Sequence, residues 1–124
     1  LCNYKGVIIS SDEEKEFRNK VEGEFKFYRV SNYNVDGTIP PDYNRVDTAI
    51  SGVQRKSVVL IDEMEYLEAK SDYKNTLLFI KSLKEFARIK CSIFILCVDT
   101  QFLEDKNLQI FEKETVKVQK LLLK

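Results

Sequence analysis

"VVLIDEMEYL", residues 58–67, decides the fold. With Ser57 before it, Val58-Val59-Leu60-Ile61 is apolar at every position, leaving no face for water, as in a parallel strand covered on both sides. The spacing therefore predicts a central strand over 57–61. It leaves the sheet on Asp62-Glu63, at the carboxyl edge where α/β sheets gather their ligands.

Upstream, Gly6-Val7-Ile8-Ile9-Ser10 is a short β-branched run. Ser11-Asp12-Glu13-Glu14 then carries the S-x-x-E pattern in which Ser11 caps a helix and Glu14 reaches back. Phe17 and Val21 lie four apart on that helix, Gly23 ends it, and Phe25 to Val30 resumes strand composition, completing a first βαβ unit. From Ser31 to about Asp47 the chain is polar and rich in breakers, including Asp36-Gly37 and Pro40-Pro41, which predicts a long loop. A short helix is expected over Thr48 to Val53.

Downstream, Thr76, Phe79, Ile80, Leu83, Phe86 and Ala87 fall on one side of a helix while Lys81, Lys84, Glu85 and Arg88 fall largely on the other. Such a stripe is core before it is anything else. Ile93 to Val98 predicts a second buried strand, Glu104 to Glu112 a helix, and Val116 and Val118 begin a last strand by alternation. The succession of strands and helices predicts an α/β fold, a three-layer sandwich with about five mainly parallel strands, helices on both faces and right-handed crossovers.

At 124 residues the chain is expected to form one domain, 1–124. It starts at Leu1, shows no signal-peptide pattern and ends at Leu121-Leu122-Leu123-Lys124, so it is expected to be a piece of a longer multidomain protein. Twenty basic and twenty acidic residues cancel, so no whole-chain field draws nucleic acid or an anionic membrane. The longest apolar run, Ile93–Val98, is far short of a bilayer span. Cys2, Cys91 and Cys97 form no C-x-x-C pair, and Cys97 lies in an apolar run where a buried thiol is ordinary, which points to a reducing cytoplasm. Histidine is absent, which removes Ser-His-Asp and Cys-His nucleophilic catalysis and His-ligated zinc.

Two predicted strands deliver acids to the carboxyl edge: Asp62 and Glu63 after one, Asp99 after the other. If the strands are neighbours, Asp62 and Asp99 come close enough to hold a cation or to raise one another's pKa. The other reading is structural, with each Asp accepting backbone amides at its turn. A phosphate-binding loop, G-x-x-x-x-G-K-[ST], would make the acids useful for nucleotide hydrolysis, but Gly6, Gly23, Gly37 and Gly52 match it nowhere. Acids after the first strand also repel phosphate.

"VVLIDEMEYL", "LLFIKSLKEFARIKCSIFILCVD", "LEDKNLQIFEKE" and, more loosely, "GVIISS" together resemble the archaeal family called domain of unknown function 835. Asp62, Tyr66 and Leu67 match its best motif, with Tyr66 and Leu67 expected to pack first and recognise second. Glu63 and Thr100 stand where Gly and Pro would be expected. The resemblance implies a distant relative of RecA/KaiC-type ATPases without the phosphate loop, an accessory domain of sensory, regulatory or membrane-attached proteins. It implies no catalytic residues and no cofactor.

The function expected is thus a non-catalytic regulatory or protein-interaction domain, bound by a protein partner or by neighbouring domains. A Tyr33-to-Tyr43 loop is its exposed surface, with Tyr33, Tyr43 and Tyr66 as contact residues. Two alternatives need a ligand. A receiver-like switch would bind Mg²⁺ through Asp12-Glu13, accept phosphate on Asp62 and sense it through Thr100 and Lys120. An ATPase-like domain would bind a nucleotide at Asp62-Glu63.

Overall fold

The computed structural model describes residues 4–33, 36–68, 72–99, 101 and 105–115. Strand β1 (Lys5–Ser10) leads through helix α1 (Glu14–Arg18) to β2 (Phe25–Val30) and the two-residue β3 (Thr38–Ile39). Then follow α2 (Tyr43–Ser51), β4 (Ser57–Ile61), α3 (Met64–Glu68), α4 (Tyr73–Ile89), β5 (Ile93–Leu96) and α5 (Asp105–Glu114). The five strands form one sheet in the order β3-β2-β1-β4-β5, and every pairing is parallel. The α/β architecture with a parallel sheet is therefore as the sequence predicts.

Residues paired across a parallel sheet share a face, so the register sorts the side chains. Val7, Val59 and Phe94 lie in one row and Ile9, Ile61 and Leu96 in the next. Val7, Ile9, Val59 and Ile61 are buried in a core with Val46 and Ile50 of α2, Phe79, Ile80 and Leu83 of α4, and Ile110 and Phe111 of α5. Met64 and Leu67 of α3 close its upper end. On the opposite face, α1 lays Phe17 against Phe27 with ring centroids 5.6 Å apart, over buried Ile8 and Phe25. A Cβ on Gly6 would stand 3.2 Å from that of Phe25, so the close approach of β1 and β2 depends on glycine there.

Four expectations need correcting. The stretch after Ser31 is not one loop: β3 extends the sheet beside Val30, and α2 begins at Tyr43. Asp42 caps this helix by accepting the Asn44 N–H at 2.8 Å, and Tyr43, Val46 and Ile50 then fall on one buried face. Second, the Ser11 capping box does not form. Glu13 occupies the N-cap position without a side-chain bond, and the helix ends at Arg18. Third, β5 is not buried on both faces: Ile93 and Ile95 are 40% and 43% exposed, and Cys97 is exposed. Only α1 covers that side of the sheet among the described residues, and it sits over β1 and β2. Fourth, α3, a single turn absent from the expectation, follows Glu63. The strand expected from Val116 lies outside the described residues.

Tyr43 was expected on an exposed surface, and it belongs to the core instead. It is 6% exposed, stacks on Phe79 at 4.4 Å and shares a 3.1 Å hydrogen bond with Thr76 Oγ1. Tyr43→Ala is expected to destabilise the fold by roughly 3–5 kcal/mol, as for other buried aromatics. Chemical denaturation would show this as a lowered midpoint, whereas an exposed contact residue would leave the midpoint in place.

Candidate functional site

The sheet reverses its winding between β1 and β4, since β2 lies on one side of β1 and β4 on the other. In open α/β sheets such a switch point opens a crevice beyond the carboxyl ends of the strands. Here the crevice receives the Ser10-Ser11-Asp12 turn from β1 and the Asp62-Glu63 turn from β4. The strands continue their pairing into it: the Asp62 N–H donates to Ile9 O at 2.8 Å, and the Cys97 N–H to Ile61 O at 3.0 Å.

Two hydroxyl–carboxylate bonds tie the turns together. Ser10 Oγ donates to Asp62 Oδ2 at 3.1 Å, and Ser11 Oγ donates to Glu63 Oε1 at 2.7 Å. Ser10 Oγ also accepts the Asp12 N–H at 3.0 Å, which turns the chain back toward the acids. Bonds to ionised acceptors are roughly twice as strong as neutral ones, so Ser11 is better placed here than at the helix cap. Asp12, Asp62 and Glu63 each bring a carboxylate oxygen within 4.8 Å of the others.

Beside this cluster lies a cleft of about 410 Å³, lined by Asp62, Glu63, Glu65, Cys97, Asp99 and Gln101 among others, with no Lys or Arg among the described lining residues. Asp99 thus shares the cleft with Asp62 but stands outside the three-carboxylate group. Its Oδ1 accepts the Gln101 N–H at 3.1 Å, and its own N–H donates to Glu65 Oε1 at 3.0 Å. Asp99 thus accepts a backbone amide at its turn, and Asp62 likewise accepts the Glu63 amide while also facing the Ser10 hydroxyl and other acids. Thr100 and Lys120 lie outside the described residues. Tyr66 is half-buried against the core and Leu67 is buried, whereas Tyr33 is 79% exposed. Sequence reasoning passed over Glu65 and Ser10, although an acid two residues beyond Glu63 in the same turn was a usable signal.

The acids titrate abnormally. Partial burial pushes the Asp62 carboxyl above its ordinary range, and the charges of Asp12 and Glu65 push the same way against the Ser10 bond. Burial likewise raises Glu63, opposed by Ser11 and aided by Asp12, Asp62 and Glu65. The Cys97 thiol is raised by burial and then by Asp62 and Glu65. Glu63 also has φ 57, in the left-handed region that favours glycine. The Gly expected there from the family resemblance thus has a physical reason.

Raised carboxyl pKa values fix the sign of the pH dependence. Between the unfolded and folded pKa the native state binds more protons, so stability falls as pH rises through that window. Asp62→Asn keeps an acceptor for Ser10 and removes the ionisable group. It is expected to raise the thermal midpoint at pH 7 and to lose that advantage at pH 4, as melts at the two pH values would show. At the next residue, Glu63→Gly is expected to keep the melting midpoint, while the β-branched Glu63→Val lowers stability by about 1–2 kcal/mol.

No characterised, curated protein matches this chain. The model of one family matches residues 1–115, nearly the whole length. The chain belongs to that family, described as "Protein of unknown function (DUF835)".

Proposed function

We propose that this is a non-catalytic regulatory or protein-interaction domain of a longer archaeal sensory or regulatory protein, working in the cytoplasm. Its core is RecA-like without the phosphate-binding loop. One observation supports the reading: Asp12, Asp62 and Glu63 crowd together at the β1/β4 switch point, and the adjoining cleft beyond β4 and β5 has no Lys or Arg among its described lining residues. A triphosphate brought there would meet Asp12, Asp62 and Glu63, with no cation among the described lining residues to neutralise it. The two serines at the turn donate to carboxylates, which are weak bases beside an imidazole. Such an edge suits a positively charged partner group, a Lys or Arg side chain or a cation. No helix among the described residues is long and apolar enough to cross a membrane.

A second reading has its own support. Without the two-residue β3, the sheet runs β2-β1-β4-β5, the doubly wound order that phosphoacceptor switches also use. Asp12 after β1 and Asp62 after β4 come together as an Mg²⁺ site requires, with oxygens near enough to share one ion. In that reading Asp62 accepts the phosphoryl group.

A thermal-shift titration with Mg-ATP, Mg-GTP, Mg²⁺ alone and Mg²⁺ with beryllofluoride separates the readings. A ligand at 100 times its dissociation constant adds about 2.7 kcal/mol of stability. The interaction domain is expected to show no nucleotide-dependent rise and none specific to beryllofluoride. A rise with beryllofluoride that Asp62→Asn abolishes would replace it with the switch, and one with Mg-ATP would restore the ATPase relation.

A further inference from the structure

Helices α2 and α4 pack against each other on the core face of the sheet. Tyr43, Val46 and Ile50 of α2 and Thr76, Phe79, Ile80 and Leu83 of α4 are their buried residues, so Asp47 on one helix and Leu78 and Ser82 on the other fall on the flanks that border the outer seam. The seam does not close. A groove of about 170 Å³ remains between the helices, floored by the stacked rings of Tyr43 and Phe79, 4.4 Å apart. Asp42, the N-cap of α2, and Asp47 stand on one side of it, and Leu78 and Ser82 on the other.

Both carboxylates keep acceptor capacity. Asp42 Oδ1 accepts the Asn44 N–H at 2.8 Å and Asp47 Oδ1 accepts the Ser82 hydroxyl at 2.9 Å, and neither side chain makes an ion pair among the described residues. Arg45 and Lys74, on the same two helices, are exposed and not among the described lining residues, which include no Lys or Arg. Leu78, 55% exposed, adds an apolar wall. The volume falls below the roughly 300 Å³ at which small-molecule pockets begin, and it suits one long side chain. Two negative charges over an apolar floor call for a cation with an apolar face. Guanidinium is planar, weakly hydrated and stacks on such surfaces, and its five donors form a fork that serves two carboxylates, whereas ammonium is a compact, strongly hydrated charge.

We infer that the groove between α2 and α4 takes an arginine side chain of a partner protein, its guanidinium held by Asp42 and Asp47 and its stem laid along Leu78. Arginine set in a pocket is among the contacts that carry most of the energy of protein interfaces. Tyr43 then serves as the floor of the contact and not as an exposed anchor. The groove shares no described residue with the acidic cleft beside the β1/β4 switch point, so the inference is independent of what that cleft binds.

The probe is N-acetyl-arginine N-methylamide, whose only charge is the guanidinium, titrated into the 124-residue chain and followed in ¹H–¹⁵N correlation spectra. N-acetyl-citrulline N-methylamide, the uncharged isostere, is titrated at matched ionic strength. The arginine probe is expected to give saturable shifts at the amides of Asp47, Leu78 and Ser82, and the citrulline probe none there. Asp42→Asn and Asp47→Asn keep an oxygen for the Asn44 N–H and the Ser82 hydroxyl, and spectra unchanged elsewhere would show the fold intact. Each is expected to weaken binding in the groove about fivefold while leaving any shifts at Asp62, Glu63 and Glu65 as they were. No saturable shift in the groove, equal shifts with citrulline, or groove binding that neither variant weakens would each overturn the proposal. Shifts confined to Asp62, Glu63 and Glu65 would overturn it too, while supporting the cationic partner proposed for the crevice.

Discussion

Everything in this fold hangs on the pairing of β1 with β4. Both strands are hydrogen-bonded on each side and apolar on each face, so they can exist only at the centre of the sheet. Once they are paired, the chain must leave them through polar residues at the carboxyl edge, and the sheet order opens a crevice between the exits. Ser10, Ser11, Asp62 and Glu63 meet there because the strands end level, with Ile9 opposite Ile61. The acidic cluster is thus a consequence of strand register, and the hydroxyl–carboxylate bonds are what make the approach of the acids tolerable.

The strands and the long helix were legible because their signals are local. Val58–Ile61 has no polar position, and α4 repeats its apolar residues at helical spacing, so neither depends on distant partners for recognition. What was hidden depends on residues far apart in sequence. Ser11 has a good capping pattern, yet its hydroxyl goes to a carboxylate 52 positions away. Tyr43 follows two prolines and reads as loop, although Asp42 is a serviceable cap and Tyr43, Val46 and Ile50 keep helical spacing. Prolines before a helix mark its start as readily as they mark a loop. The exposed face of β5 was also illegible, since an apolar run says how much surface wants covering and not whether a helix arrives to cover it.

The site was half legible. Asp62, Glu63 and Asp99 were placed at the right edge by the position of their strands, and they do share one cleft. Their division of labour was not, because it is set by neighbours from another turn. Asp99 is occupied by the backbone of Gln101, while Asp62 gathers Asp12 and Ser10 from the end of β1. Balanced net charge likewise conceals an uneven distribution around β5, with Arg55 and Lys90 at one end and Asp62, Glu65 and Asp99 at the other. A chain neutral by count still presents a field to whatever approaches that edge.

The central place of β1 has a consequence for how the polypeptide is made. Its first partner, β2, follows within about twenty residues, but its second, β4, stands 52 positions along the chain. On a translating ribosome the β1-α1-β2 unit can therefore form early, while the other edge of β1 stays open until residue 61 has cleared the exit tunnel. At about 5–20 residues per second that interval lasts several seconds. Val7 and Ile9, both later buried in the core, are uncovered throughout it, and non-local pairing of this kind is the slow step in sheet formation. Chaperone demand for this domain is set by the order of its strands.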